Sequence, residues 1–171
     1  VGAGDRGDWS ADQGRRVAAT GCLAARALRE TRVGLVERGD VTEGSARLVQ
    51  ALVEGALIAN FDGGVHKASD VGPSWIDEVA VYCRTVSDES KQAIQRGRVL
   101  GQHTNLAREL ANAPGNLMTP RMLAARAEAV AAEGGLSCEI LNEADMAAHG
   151  MGLLLGVARG SDEPPRLIAL R

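Results

Sequence analysis

Residues 87–120 read SDESKQAIQRGRVLGQHTNLARELANAPGNLMTP, and this stretch decides how the rest of the chain divides. Ser87, followed by Asp88 and Glu89, supplies a capping side chain and first-turn acids that suit the positive end of a helix dipole. No proline interrupts the run before Pro114, so the spacing predicts one helix from Ser87 to Ala113. Its predicted inner face is Ile94, Gly97, Leu100, Gly101, Thr104, Ala107, Leu110 and Ala111. At 1.5 Å per residue such a helix is roughly 39 Å long, well beyond the mean helix of about 11–12 residues. The turn that follows gathers Asn112, Pro114, Asn116, Thr119 and Pro120 into nine residues. Asn side chains fix turns by bonding nearby backbone, and prolines restrict it. Thr119 caps the next helix, with Pro120 at its first position, where a missing N–H costs nothing. The segment reads as a rigid interdomain turn, or as a turn supporting a site built by residues beyond Arg171; the first is the simpler reading.

Working outward, both flanks alternate helix and strand. Upstream, Ser10 and Gln13 have capping-box spacing. Gly14, Val17, Ala18, Gly21, Ala24, Ala25 and Leu28 follow at helical intervals, predicting a helix over about Ser10–Glu30. Val33–Val36 reads as a short strand and Glu43–Phe61 as a helix with Leu48, Val49, Leu52, Val53, Ala56 and Leu57 on one face. The glycine-rich stretch Asp62–Ser74 is a surface loop, and Trp75–Arg84 alternates as a strand at Val79, Val81 and Cys83. With a strand end at Val1-Gly2, the order is β-α-β-α-β. Downstream, Leu123, Ala127 and Val130 line a helix ended by Gly134-Gly135. Leu136, Cys138 and Ile140 alternate as a strand, and Asn142 opens a short helix running to His149 and stopped by Gly150. Gly152–Ala158 reads as a buried strand, Arg159–Pro165 as a turn and Arg166–Leu170 as a last strand. The fold class is α/β in two parts, and a chain that stops on an apolar strand is expected to be a piece of a longer protein.

Composition narrows the function classes. The chain has 171 residues with 45% hydrophobic and 24% charged, as in ordinary globular proteins. Lys and Arg total 19 against 22 Asp and Glu, a net charge of −3, which offers no basic footprint for nucleic acid or an anionic membrane. Aromatics make up 2%, too few for base-stacking platforms. No run approaches the roughly 18 apolar residues of a membrane span. Cys22, Cys83 and Cys138 are odd in number and widely spaced, as expected for small buried residues in a reducing compartment. A soluble cytoplasmic protein is expected.

Residue chemistry by itself yields no active site. Gly2-Ala3-Gly4-Asp5-Arg6-Gly7 fits the spacing G-x-G-x-x-G, with Glu37 at the end of the next strand, as dinucleotide binding would require. The predicted helix starts only at Ser10, however, and Trp9 would crowd the turn, so a flexible strand-to-helix loop is the better reading. His66, His103 and His149 have no partner at a metal-ligand spacing. Glu143 and Asp145 offset a helix dipole, while Asp162 and Glu163 sit in a polar turn. No G-x-S-x-G elbow occurs.

Two motifs nevertheless carry a resemblance. Asn105-Leu106-Ala107-Arg108-Glu109-Leu110, followed by Asn112-x-Pro114-x-Asn116-x-Met118-Thr119-Pro120, resembles the start of the catalytic domain of the leucyl (cytosol) aminopeptidases. The likeness continues through Gly150-Met151-Gly152-Leu153-Leu154, Val157, Gly160-Ser161 and Glu163-Pro164-Pro165-Arg166. Upstream, Glu54-Gly55-Ala56-Leu57 is similar to a helix of the family's N-terminal domain. The resemblance implies part of a macro-like N-terminal domain over residues 1–86, a connecting helix over 87–114 and the truncated start of the catalytic domain over 115–171. It further implies a cytoplasmic homo-hexamer that removes N-terminal residues, often Leu, from peptides. Two divalent metals, Mn or Zn, would polarise the carbonyl and activate water, assisted by a lysine and an arginine with bicarbonate. The family's metal-binding lysine, aspartates and glutamate lie in motifs resembling V-G-K-G-x-x-F-D-S-G-G and N-T-D-A-E-G-R-L, both placed after the strand at which this chain stops. No catalytic or metal-binding residue is therefore carried over, and neither bound metal nor activity is expected of these residues alone. A structural metal held by some members near Leu110, Ala111 and Ala113 uses a Thr oxygen that Ala113 lacks. The alternatives are a macro-like module binding a nucleotide or ADP-ribose, and a catalytically dead scaffold.

Overall fold

The computed structural model describes residues 10–36, 45–67, 72–83 and 85–171. It falls into two compact units, one ending at Glu109 and one beginning at Leu110. The Gly2–Gly7 motif, Trp9 and Glu37 lie outside the described residues.

In the first unit, α1 (Ala11–Ala27) starts at a complete capping box. The Ser10 hydroxyl accepts from the Gln13 backbone N–H at 3.4 Å, and the Gln13 side chain accepts from the Ser10 N–H at 2.9 Å. Strand β1 (Arg32–Val36), α2 (Ser45–Ala59) and β2 (Glu78–Tyr82) follow. The two strands pair in parallel, Val33 opposite Val79 and Leu35 opposite Val81, so α2 is the crossover of a β-α-β unit. Two small clusters form the core. Cys22, Ala56, Ala59 and Ile76 gather with Val33 and Leu35, while Ala18, Leu48 and Leu52 gather with Leu35 and Val81. Leu35 belongs to both and joins them.

Small residues let the helices come close. A Cβ on Gly55 would lie 2.2 Å from the Arg15 carbonyl oxygen, so α1 and α2 touch backbone to backbone there. Helix α3 (Asp88–Asn112) lies on α2 in the same manner. A Cβ on Gly97 would lie 2.7 Å from the Gln50 carbonyl oxygen, and one on Gly101 2.7 Å from the Leu57 Cβ. At its start Ser87 and Ser90 cap each other: the Ser87 hydroxyl accepts from the Ser90 N–H, and the Ser90 hydroxyl accepts from the Ser87 N–H. The buried face is Ser90, Ala93, Gly97 and Gly101. Gly97 and Gly101 of the predicted face are buried, but Leu100, Thr104 and Ala107 are exposed, because the helix turns its glycines rather than its leucine toward α2. The predicted strand Trp75–Arg84 is also shorter, since the chain before Glu78 is fixed by Asn60 instead of by strand pairing.

In the second unit, α4 (Pro120–Gly134) is capped by Thr119, whose hydroxyl accepts from the Met122 N–H. It ends at Gly135, whose φ of 67° is the left-handed conformation that glycine adopts without strain. Its buried residues are Ala124 and Ala131, whereas Leu123 of the predicted apolar line is exposed. Strands β3 (Cys138–Leu141) and β4 (Leu167–Leu170) pair antiparallel, Ile140 opposite Ile168. Helix α5 (Glu143–Ala148) opens on an Asn142–Asp145 capping box and buries Met146 completely.

Residues Gly152–Ala158, predicted as a buried strand, form a helix, α6, with none of its residues buried. Leu153 is 92% exposed and Val157 85%. An uninterrupted apolar run has no periodicity to separate strand from helix, and three consecutive leucines lose little rotamer freedom in a helix. The cysteine expectation is met at Cys22, which is buried, while Cys83 and Cys138 are half-buried, and none of the three is in a disulfide.

Candidate functional site

The turn singled out in the sequence begins at the end of α3 and runs into α4. Asn112 is the last residue of α3, and the Pro114 carbonyl accepts from both the Leu117 and Met118 N–H groups, at 2.8 and 2.9 Å. Thr119 and Pro120 then open α4 by side-chain cap and proline start. Asn116 is exposed. The turn is held by its own backbone together with the cap of the next helix.

A second group meets in unit 1 around the C-terminus of α2; the sequence singles out Asn105 and Arg108 only as part of the resembling motif and gives the others no role. The last four carbonyls of a helix have no partner within it, and here side chains from both neighbouring helices supply partners. From α1, Arg26 donates to the Ala59 and Phe61 carbonyls and to that of Ser74, and its guanidinium lies 5.1 Å from the Trp75 ring centroid. From α3, Asn105 donates to the Leu57 carbonyl and Arg108 to the Ile58 carbonyl, each at 2.7 Å. The Arg108 guanidinium stands 4.1 Å from the Phe61 ring centroid. Asn60 closes the loop by exchanging two hydrogen bonds with the Ile76 backbone. Two cations at a helix C-terminus also complement its dipole. The partners are 33 and 50 residues apart in sequence, so no local pattern announces them. The only hint was the spacing of Asn105 and Arg108, one turn apart on a helix.

A second polar contact is buried between α1 and α2. Glu54 is 5% exposed and is paired with the Arg15 guanidinium, while Gln50 donates to its other oxygen at 2.7 Å. A buried carboxylate with both oxygens answered is a structural clamp. Beside these, a cavity of about 420 Å³ opens among Val53, Leu57, Ile76, Val79, Val81 and Ile94, with Asp77 and Arg98 also lining it.

The remaining candidates stand apart. His103 and His149 are exposed, and a ring nitrogen of each lies 2.7 Å from the carbonyl oxygen one turn earlier in the chain. His66 is exposed in its turn. Asp145 caps α5, and Glu163 meets Arg121 at 3.3 Å on the surface. Among the described residues no three of His, Cys, Asp and Glu converge as metal ligands, and none of Leu110, Ala111 or Ala113 offers a side-chain oxygen. The described residues do not fit a dimetal centre. Burial raises the Cys22 thiol above its ordinary value, the reverse of what a nucleophile needs. No helix among the described residues is long and apolar enough to cross a membrane.

Comparison with known proteins supplies what the side chains do not. Residues 105–171 match the catalytic domain of the cytosol aminopeptidase family. Over 171 residues the chain is 40% identical to a probable cytosol aminopeptidase of Solibacter usitatus, covering 100% of this chain and 35% of that protein. Over 130 residues it is 41% identical to one of Bacillus subtilis, covering 74% of this chain and 25% of that protein. Among solved structures, the bottromycin maturation enzyme BotP in complex with Mn is similar with a TM-score of 0.84 and 28% identity, over 99% of this chain and 35% of that one. A tomato leucine aminopeptidase variant shares the fold, with a TM-score of 0.83 at 22% identity over 92% of this chain and 32% of its own. The chain thus spans about a third of the length of the first of these relatives. In α/β fold and in sequence the chain is similar to the cytosol aminopeptidases, and its residues 105–171 match the catalytic domain of that family.

Proposed function

We propose that these residues are the N-terminal and linking part of a leucyl aminopeptidase, a peptidase that removes N-terminal residues from peptides with two divalent metal ions. The observation that carries this reading is the match of residues 105–171 to the family's catalytic domain. The Mn complex of the similar BotP structure supports manganese as one metal of the complete protein, with zinc the other candidate. The metal ligands and catalytic groups then lie in sequence that follows β4. The first part of the chain serves as a macro-like N-terminal domain, α3 as the connection, and the turn Asn112–Pro120 as a rigid lead into the catalytic domain. Peptides are the substrates, and a cytoplasmic homo-hexamer is the assembly we expect of the complete protein.

The test is hydrolysis of leucine p-nitroanilide with added Mn²⁺, comparing the 171-residue chain with the longer parent protein. Activity in the parent alone, abolished by a chelator and restored by Mn²⁺, is the expected result. Turnover by the 171 residues would place a site within them and overturn the assignment of catalysis to later sequence. Silence in both would leave a scaffold or ligand-binding role in its place.

A further inference from the structure

Helix α3 changes character along its length. Its buried residues are Ser90, Ala93, Gly97 and Gly101, and from Gln102 to Asn112 none is fully buried. An unburied helical segment of this length is marginal on propensity alone. Its ties to α2 and Phe61 include the Asn105 amide on the Leu57 carbonyl, the Arg108 guanidinium on the Ile58 carbonyl, and that guanidinium over the Phe61 ring. Arg108 also donates to the Asn105 side-chain oxygen at 2.9 Å. With its oxygen so occupied, the amide turns its NH₂ group toward α2. Arginine and asparagine therefore act as one unit, and Arg108 orients the bond that Asn105 makes.

We propose that Asn105, Arg108 and Phe61 form a releasable latch, whose opening frees the last turns of α3 while the rest of unit 1 stays folded. Asn105 and Arg108 lie within the motif that carries the family resemblance, and the latch gives them a positioning role that touches no reacting atom. The Leu57 carbonyl already accepts from the Asn60 N–H at 3.0 Å, so Asn105 adds a second bond there, while Arg108 reaches the Ile58 carbonyl at the exposed end of the helix. All its parts are exposed or half-buried, so water can replace each bond when it opens. That combination favours a reversible local opening over one that unfolds the unit.

Amide hydrogen exchange on the 171-residue chain tests this without reference to peptidase activity. In Arg108→Ala, exchange across residues 102–112 is expected to quicken by about tenfold, while residues 45–59 and 88–101 keep their original rates. Arg108→Lys keeps the charge but loses the planar stack over Phe61, and should fall between the two. The double variant Asn105→Ala/Arg108→Ala should match Arg108→Ala to within about twofold, because the pair works as one group. Unchanged exchange at 102–112, or equal quickening throughout unit 1, would overturn the latch. Should Arg108→Ala fail to fold, Arg108→Lys decides by itself, with original rates at 102–112 counting against the proposal.

Discussion

Gly55 is the residue on which the packing of the first unit turns. With the Arg15 backbone where a Cβ would stand, Gly55→Ala must push α1 and α2 apart, and we expect a loss of about 3 kcal/mol in urea unfolding. Gly21 is the control within the same fold. It has nothing within 4 Å of a built Cβ, so Gly21→Ala should stabilise α1 by about 0.5–1 kcal/mol. Both glycines sit in stretches that read as helix in the sequence, yet only the partner helix distinguishes them. Arg29 offers a third test, since its φ of 59° is left-handed. Arg29→Gly should raise stability by about 0.5–1 kcal/mol, measured in the same unfolding experiment. The clamp on Glu54 was equally hidden. Its arginine lies 39 residues away, and only the folded crossing of α1 and α2 brings them together.

At the scale of elements, what was legible was local. Capping depends on residues one to three apart, and Ser10 with Gln13, Thr119 with Pro120, and Asn142 all open helices where the sequence places them, while Asp145, read as an acid offsetting the dipole, also completes a capping box with Asn142. Thr119→Ala should cost about 1 kcal/mol of the second unit's stability, followed by thermal unfolding of the far-ultraviolet circular dichroism. What was not legible depends on neighbours. The face of α3 was legible in part: Gly97 and Gly101 do face α2, but Leu100, Thr104 and Ala107 beside them are exposed, because close helix contact selects the residue without a side chain. The run Gly152–Ala158 was misjudged because burial was assumed from composition, and Leu153 instead stands in water. The node at the end of α2 escaped notice because arginine on a helix reads as a solvated charge until the carbonyls it meets are known.

At the scale of the whole molecule, the sequence made the α/β class plain through its alternation of helices and strands. The role of the chain came from motif resemblance, not from any cluster of reactive groups. Cys22 reports on the integrity of the first unit. Its thiol is raised above 9.0 by burial, so the folded state favours the protonated form more than the unfolded state does. The stability this contributes is fully present below pH 9.0 and is lost as pH rises through the folded value. In native protein at pH 8, Cys22 should resist alkylation while Cys83 and Cys138 react, and all three should react in denaturant, as followed by mass spectrometry of the labelled peptides. Helix α6 has the opposite standing: no side-chain cap, two glycines in seven residues, and no buried residue. A protease that cuts before apolar side chains will find its bonds there long before the chain melts. Brief digestion should therefore trim the molecule within Gly152–Ala158 and leave behind a resistant N-terminal piece that still contains α1, β1 and α2.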